Sequence, residues 1–175
     1  MNVKNSDIGS IHSSRDTAQI VAPIIYPKSF TGLKNNVRIV SFMMSAEDLL
    51  NTCYVLRRDN WSDSIWLYQR LIDKDKIKDI REFVAQNGEA FYNNIIVALP
   101  DSVKFEDDSD NHKLLPVNEV ADFQHCKLVI PDEMNSICVI DGQHRIFAHH
   151  EAPTSDKYES KMSILRNQLH LLVTG

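Results

Sequence analysis

The stretch that most constrains this 175-residue chain runs from Ser136 to Glu151, where an apolar run meets a polar cluster. Ile137 to Ile140 is short, β-branched and uninterrupted, the pattern of a strand buried on both faces. After Gly142 the pattern changes. Ile146, Phe147 and Ala148, then His149, His150 and Glu151, do not alternate and suit the first turns of a helix. The predicted element is strand, tight glycine turn, helix. That geometry turns the backbone N–H groups of the first helical turn toward the loop, at the positive end of the macrodipole, and His144 and Arg145 add donors there. Such a site takes an anion, phosphate above all. Asp-Gly after a strand is also the commonest signal for a two-residue hairpin, and the hairpin stands as the alternative. The missing period-two alternation after Gly142 weighs against it, and Ala148 suits a helix seated close to a sheet.

One domain fits the length, because 175 residues with 43% hydrophobic content bury one good core and leave no room for two domains with linkers. The net charge of −5 and pI near 5.8 exclude a surface that grips nucleic acid by bulk charge, so any DNA contact is local. Cys53, Cys126 and Cys138 are odd in number and set in apolar sequence, as reduced buried thiols are. Cys138, inside an apolar strand, is a poor nucleophile. No run approaches a membrane span and Met1 to Thr17 has no signal-peptide core, so the expected location is the cytoplasm, with no membrane partner.

Along the chain, residues 1–19 read as a flexible leader and 20–175 as a single domain. Ile20 to Tyr26 reads as a strand that Pro23 and Pro27 restrict to an edge or to an extended approach. Val37 to Met44 is a strand. Ser45 caps a helix with Asp48 three residues on, running through Leu49, Leu50, Cys53 and Leu56 and closing at Arg57 and Arg58. An apolar, aromatic segment from Ser64 leads to Tyr68-Gln69-Arg70. Asp73 then caps a helix with Ile77, Ile80, Phe83 and Val84 at helical spacing, ended by Gly88. Asn94 to Leu99 is a buried strand. Asp101 to Asn111 is a solvated acidic loop, since a calcium loop would need a glycine and a closing glutamate that are missing. Leu114 to Phe123 reads as a short helix, and Cys126 to Ile130 as a strand paired antiparallel with Ser136 to Ile140. Pro153 to Ser163 is a loop or frayed helix, and Leu169 to Val173 a last strand. The seven histidines lack metal-ligand spacing, and there is no Cys-x-x-Cys, Walker A loop, Gly-x-Ser-x-Gly or Rossmann glycine set. His149 and His150 suit the carbonyls at a helix end.

Asp141-Gly-Gln-His-Arg145 resembles, over all five residues, the signature of the DGQHR-domain proteins, the DndB-like family of bacterial DNA phosphorothioation. A wider resemblance is to the ParB/sulfiredoxin-like superfamily, in which a strand–Gly–x–x–Arg–helix element holds nucleotide phosphates. The resemblance extends from Tyr68 to Val173, with Tyr68-Gln69-Arg70 as a second, weaker landmark. It implies an α+β fold, a mixed sheet flanked by helices in the ParB/sulfiredoxin manner, and a chain that is the N-terminal part of a longer protein.

The same resemblance implies roles. Arg145 and Arg70 are phosphate clamps, Gly142 the turn that lets the backbone approach, His144 a phosphate donor or proton shuttle, and Gln143 an amide that orients water or a base. Asp141 is a magnesium ligand or a carboxylate at the helix N-terminus. Gln143 stands where sulfiredoxins carry their nucleophilic cysteine, which excludes peroxiredoxin repair, and where ParB proteins carry a glutamate, which removes the usual carboxylate of metal-assisted hydrolysis. The expected ligands are ATP or another NTP with magnesium, and DNA; a homo-oligomer is allowed. The implied activity is weak NTPase or nuclease-like chemistry by Asp141, Gln143 and His144, in phosphorothioation, its transcriptional regulation or phage defence. Two alternatives remain: a non-catalytic DNA-binding module using the same basic pocket, and a structural tie between Asp141 and Arg145.

Overall fold

The computed structural model describes residues 18–25, 38–55, 72–107, 109, 113–115, 123–131, 134 and 136–175. Strands β1 (Ala18–Ile25) and β2 (Ile39–Ser45) lead into helix α1 (Ala46–Thr52) and β3 (Cys53–Val55). Helix α2 (Lys74–Asn87), β4 (Ile95–Ala98), β5 (Lys104–Asp107), β6 (Phe123–Ile130) and β7 (Ile137–Asp141) follow. The chain then forms α3 (Gln143–Phe147), α4 (Glu159–Gln168) and β8 (His170–Thr174). The eight strands make one sheet in the order β3-β7-β4-β8-β2-β1-β6-β5. The sheet is mixed, because β3 runs parallel to β7 and β4 parallel to β8 while the other pairs are antiparallel. The class is α+β, as the sequence predicts.

The core follows from alternation. Val40, Phe42 and Met44 of β2 are buried, and the register that sets Phe42 against Val173 and Met44 against Leu171 puts β8's apolar positions on the same face. Ala46 and Leu49 of α1 and Ile146 of α3 close on that face. A smaller cluster of Val84, Ala85, Met162 and Leu165 joins α2 to α4.

Local signals place two helices. The Ser45 hydroxyl accepts from the Asp48 N–H at 3.0 Å and starts α1. The Asp73 carboxylate accepts from the N–H groups of Asp75 and Lys76, and Gly88, at φ 73°, ends α2 in the left-handed conformation.

Long-range pairing overrides the sequence elsewhere. Helix α1 stops at Thr52 rather than running to Leu56, because Cys53, Tyr54 and Val55 add an edge strand beside β7. Arg57 and Arg58 lie outside the described residues. Strand β1 starts at Ala18 and lies inside the sheet, not at its edge. Pro23 is tolerated because β1 meets β2 only at Ile24 and Ile25, while its full length pairs with β6. Strand β4 is buried on one face only, with Ile95 and Val97 in and Ile96 and Ala98 out. The predicted acidic loop contains β5, whose Phe105 pairs with Leu128 of β6. Leu114 is extended and bridges to Glu106 rather than starting a helix, and residues 116–122 lie outside the described ones. Strands β6 and β7 do not pair: β6 takes β1 and β5, whereas β7 takes β3 and β4 near the opposite edge. The segment Pro153 to Ser163, read as loop or frayed helix, is turns up to Tyr158 and then the first half of α4, which continues to Gln168 and buries Met162, Leu165 and Arg166.

Candidate functional site

Strand β7 delivers the motif. Its register against β4 runs Val139↔Val97 and then Asp141↔Ile96, so Ile140 is an extra residue bulged out of the ladder. The bulge turns the end of β7 outward, leaving Ile140 57% exposed and the Asp141 side chain 72% exposed.

Gly142 then starts α3 at φ 100°. A Cβ here would stand 3.0 Å from Ile95 Cγ1, 3.1 Å from Arg145 Nη2 and 3.3 Å from Ile95 Cα, so the position requires glycine both for its backbone angle and for the space. Its carbonyl accepts from the N–H groups of Arg145 and Ile146, which closes the turn. The element is therefore strand, glycine, helix and not a hairpin, although α3 is only five residues long.

Arg145 is largely committed to protein. One Nη1 donates to the Asn93 carbonyl, and Nη2 lies 3.5 Å from Asp141 Oδ2, with 17% of the arginine side chain exposed. His144 reaches the other way: its Nε2 accepts from the Asp73 N–H at 3.0 Å, which leaves Nδ1 as the nitrogen not engaged in that bond. Asp73 is also the cap of α2, so the motif helix and α2 are tied through one residue. Gln143, expected to orient water or a base, is 8% exposed.

These elements enclose a cleft of about 680 Å³. Residues 140–145 form one wall; Lys76 and Ile80 of α2, with Phe91 and Asn93 of the following segment, form the other. The structure thus brings Asp141, Gly142, Gln143, His144 and Arg145 to one cavity. Arg70 lies outside the described residues. Lys76, Phe91 and Asn93 carry no signal in the sequence. A lysine in a first helical turn and an isolated phenylalanine are ordinary, and Asn93 contributes a backbone carbonyl that any residue has.

The far end of α3 is built differently. Arg81 Nη1 donates to the carbonyls of Ala148 and His150 at 3.2 and 2.8 Å. Arg166 donates to those of His149 and His150 at 2.6 and 3.2 Å. Glu159 bridges the two guanidiniums. Burial alone would push the Glu159 carboxyl up, but hydrogen bonds from Arg166 and Arg81 outweigh it and hold the group below the usual range. His149 is 1% exposed, and burial, helped by the charges of Arg166 and Arg81, pushes its ring down despite the Arg145 and Ile146 carbonyls beside it. His149 and His150 each place Nδ1 against a helical carbonyl, as expected of histidines at a helix end.

Among the described residues no group of three His, Cys, Asp or Glu side chains could hold a metal ion. The three cysteines are free. Cys53 faces Ile137 and Tyr54 faces Cys138 across the β3–β7 pair, so the thiols of Cys53 and Cys138 point to opposite faces of the sheet. Burial pushes the Cys53 thiol up to about 12. No helix among the described residues is long and apolar enough to cross a membrane.

Fold and site together define an α+β domain organised around a strand–glycine–helix turn that opens on a cleft lined by both polar and apolar groups. More particularly, residues 28–165 match the family DndB, DNA-sulfur modification-associated, and the chain belongs to that family. It is accordingly a protein of DNA sulfur modification. No curated protein and no solved structure matches it.

Proposed function

We propose that the cleft beside Gly142 holds a phosphate group of a nucleotide or of DNA, and that this binding serves sulfur modification, its transcriptional regulation or a related phage defence in the cytoplasm. The observation that carries the reading is the turn itself. Gly142 holds a left-handed φ with little room for a Cβ, sits at the cleft and brings backbone, Arg145 and His144 to one wall. The resemblance of the motif to the ParB/sulfiredoxin-like element is what suggests phosphate as the ligand.

Binding without turnover is the better-supported form. Gln143 brings no charge, and His144 Nε2 is engaged by the Asp73 N–H, so a proton shuttle would have to use Nδ1 or break that bond. Asp141 is the carboxylate at the cleft, exposed and loosely paired with Arg145. It suits the mode in which magnesium takes one carboxylate and receives its remaining ligands from nucleotide phosphates and water. Weak magnesium-dependent NTPase or nuclease-like activity is the reading to which Asp141, Gln143 and His144 would contribute. The second reading, a structural tie, rests on the same Asp141–Arg145 contact and on the Arg145–Asn93 bond.

Calorimetry with ATP, CTP, GTP and short DNA, with and without magnesium, tests the proposal. Binding of at least one ligand that Arg145→Ala abolishes is expected; ligand binding that survives Arg145→Ala unchanged, or no binding at all, leaves the structural tie.

A further inference from the structure

The cleft is more than an anion hole. Its α2 wall carries Lys76 and Ile80, one helical turn apart and so on one face. Phe91 sits beside them, one side of its ring leaning on Phe83 with centroids 4.7 Å apart and planes tilted by 31°. Across the cavity the bulged Ile140 adds a third apolar group. Lys76 differs from Arg145 in one respect that matters: its ammonium makes no ion pair or hydrogen bond among the described residues, whereas Arg145 is held by Asn93 and Asp141. The cavity therefore offers one uncommitted cation, one positioned guanidinium and an aromatic and aliphatic wall. A bare phosphate has no use for the apolar wall, and an apolar ligand has none for the lysine. A volume of about 680 Å³ also exceeds what an inorganic anion fills and lies within the range of small-molecule sites.

Resting on the phosphate reading above, we infer that the cleft takes a single nucleoside phosphate unit, free or carried in a DNA strand, with its phosphate between Lys76 and the Gly142–Arg145 turn and its base against Phe91. Ring-on-ring contact is tolerant of sequence and adds affinity that phosphate contacts alone do not supply. A net charge of −5 and a concave site favour one nucleotide entering the cleft over a duplex lying on the surface.

The test is equilibrium binding on the whole chain with inorganic phosphate, the four deoxynucleosides, their 5′-monophosphates, and a short 5′-phosphorylated single strand with its duplex. The variants are Lys76→Ala, Phe91→Leu and Arg145→Ala, with circular dichroism to confirm that Phe91→Leu folds. A monophosphate should bind at least about tenfold more tightly than inorganic phosphate or the nucleoside. Lys76→Ala should weaken both phosphate and monophosphate by about tenfold. Phe91→Leu should weaken the monophosphate by about fivefold or more and leave inorganic phosphate unchanged. A strand binding tighter than the monophosphate assigns the unit to DNA; equal or weaker binding assigns it to a free nucleotide. A monophosphate no tighter than phosphate, or unmoved by both Lys76→Ala and Phe91→Leu, overturns the inference. In that case loss of phosphate in Arg145→Ala would keep the simpler phosphate reading alive, and failure of every probe to bind at millimolar concentration would remove both.

Discussion

At its first residue α3 opens on a cleft through a glycine turn that carries the largely exposed Asp141, whereas beyond its far end the successive carbonyls of Ala148, His149 and His150 accept from two guanidiniums joined by a bridging carboxylate. Both ends use arginine, yet the arginines are not equivalent. Arg81 and Arg166 are 3% and 6% exposed, and their guanidiniums donate to backbone carbonyls and to Glu159. Arg145 keeps part of its guanidinium at the cleft wall. A helix of five residues has little stability of its own, so the buried end holds it in place and the open end is left to meet a ligand. The comparison separates anchoring from binding within one short element.

The comparison breaks most readily at Arg81. Arg81→Ala strips partners from the Ala148 and His150 carbonyls and leaves Glu159 with one arginine fewer, and should cost about 3–5 kcal/mol by denaturant unfolding. If it costs no more than a change at Arg145, the buried end is not the anchor. Gly142→Ala comes next, at about 1–3 kcal/mol, because it combines a left-handed φ with a Cβ 3.0 Å from Ile95. It should also reduce anion binding, which Arg81→Ala should not do in the fraction that remains folded. Arg145→Ala should cost about 1–2 kcal/mol through the lost bond to Asn93, more than an exposed arginine would, and should affect ligand affinity more than stability. Asp141→Asn is the smallest change, at most about 0.5 kcal/mol, since its partner is 3.5 Å away and its side chain largely in water.

Acid sharpens the same contrast. His149 is held neutral in the fold, so its stabilising contribution is complete above its ordinary value of 6.5 and declines as pH falls through the depressed folded value, because the unfolded chain takes up a proton first. Glu159 is also depressed, so its contribution is complete above 4.5 and is lost as pH drops below that. Stability measured from pH 7 downward should therefore fall in two stages, and His149→Gln should remove the first. An unchanged profile in that variant would mean that another group carries it.

How much of this was legible in the sequence depended on range. The Ser45 and Asp73 caps, the Gly88 stop and the glycine turn at Gly142 are set by residues a few positions apart, and each sits where the sequence puts it. What could not be read was which strands meet. Cys53 to Val55 continue a helical pattern locally and become a strand only because β7 lies beside them. Strands β6 and β7 look like a hairpin and part to distant places in the sheet. The site divides along the same line. Asp141 to Arg145 are contiguous and visible, whereas Lys76, Phe91 and the Asn93 carbonyl arrive through tertiary packing. Arg81 and Arg166, on helices far apart in sequence, look like solvated charges until the fold buries them.

The central position of β8 has a consequence for synthesis. Ile95, which floors the glycine turn, is held in the sheet by pairing with Val173, and β2 is held by the same strand, with Ser41 and Thr174 in contact across 133 residues of sequence. Strands β1, β6 and β5 find their partners earlier in the chain. On the ribosome that half of the sheet is able to close while the other half still waits for its middle strand, and contacts of such long range are slow to form. The motif leaves the exit tunnel before the strand that supports it, so a nascent chain carries its signature for a time without a cleft to present it.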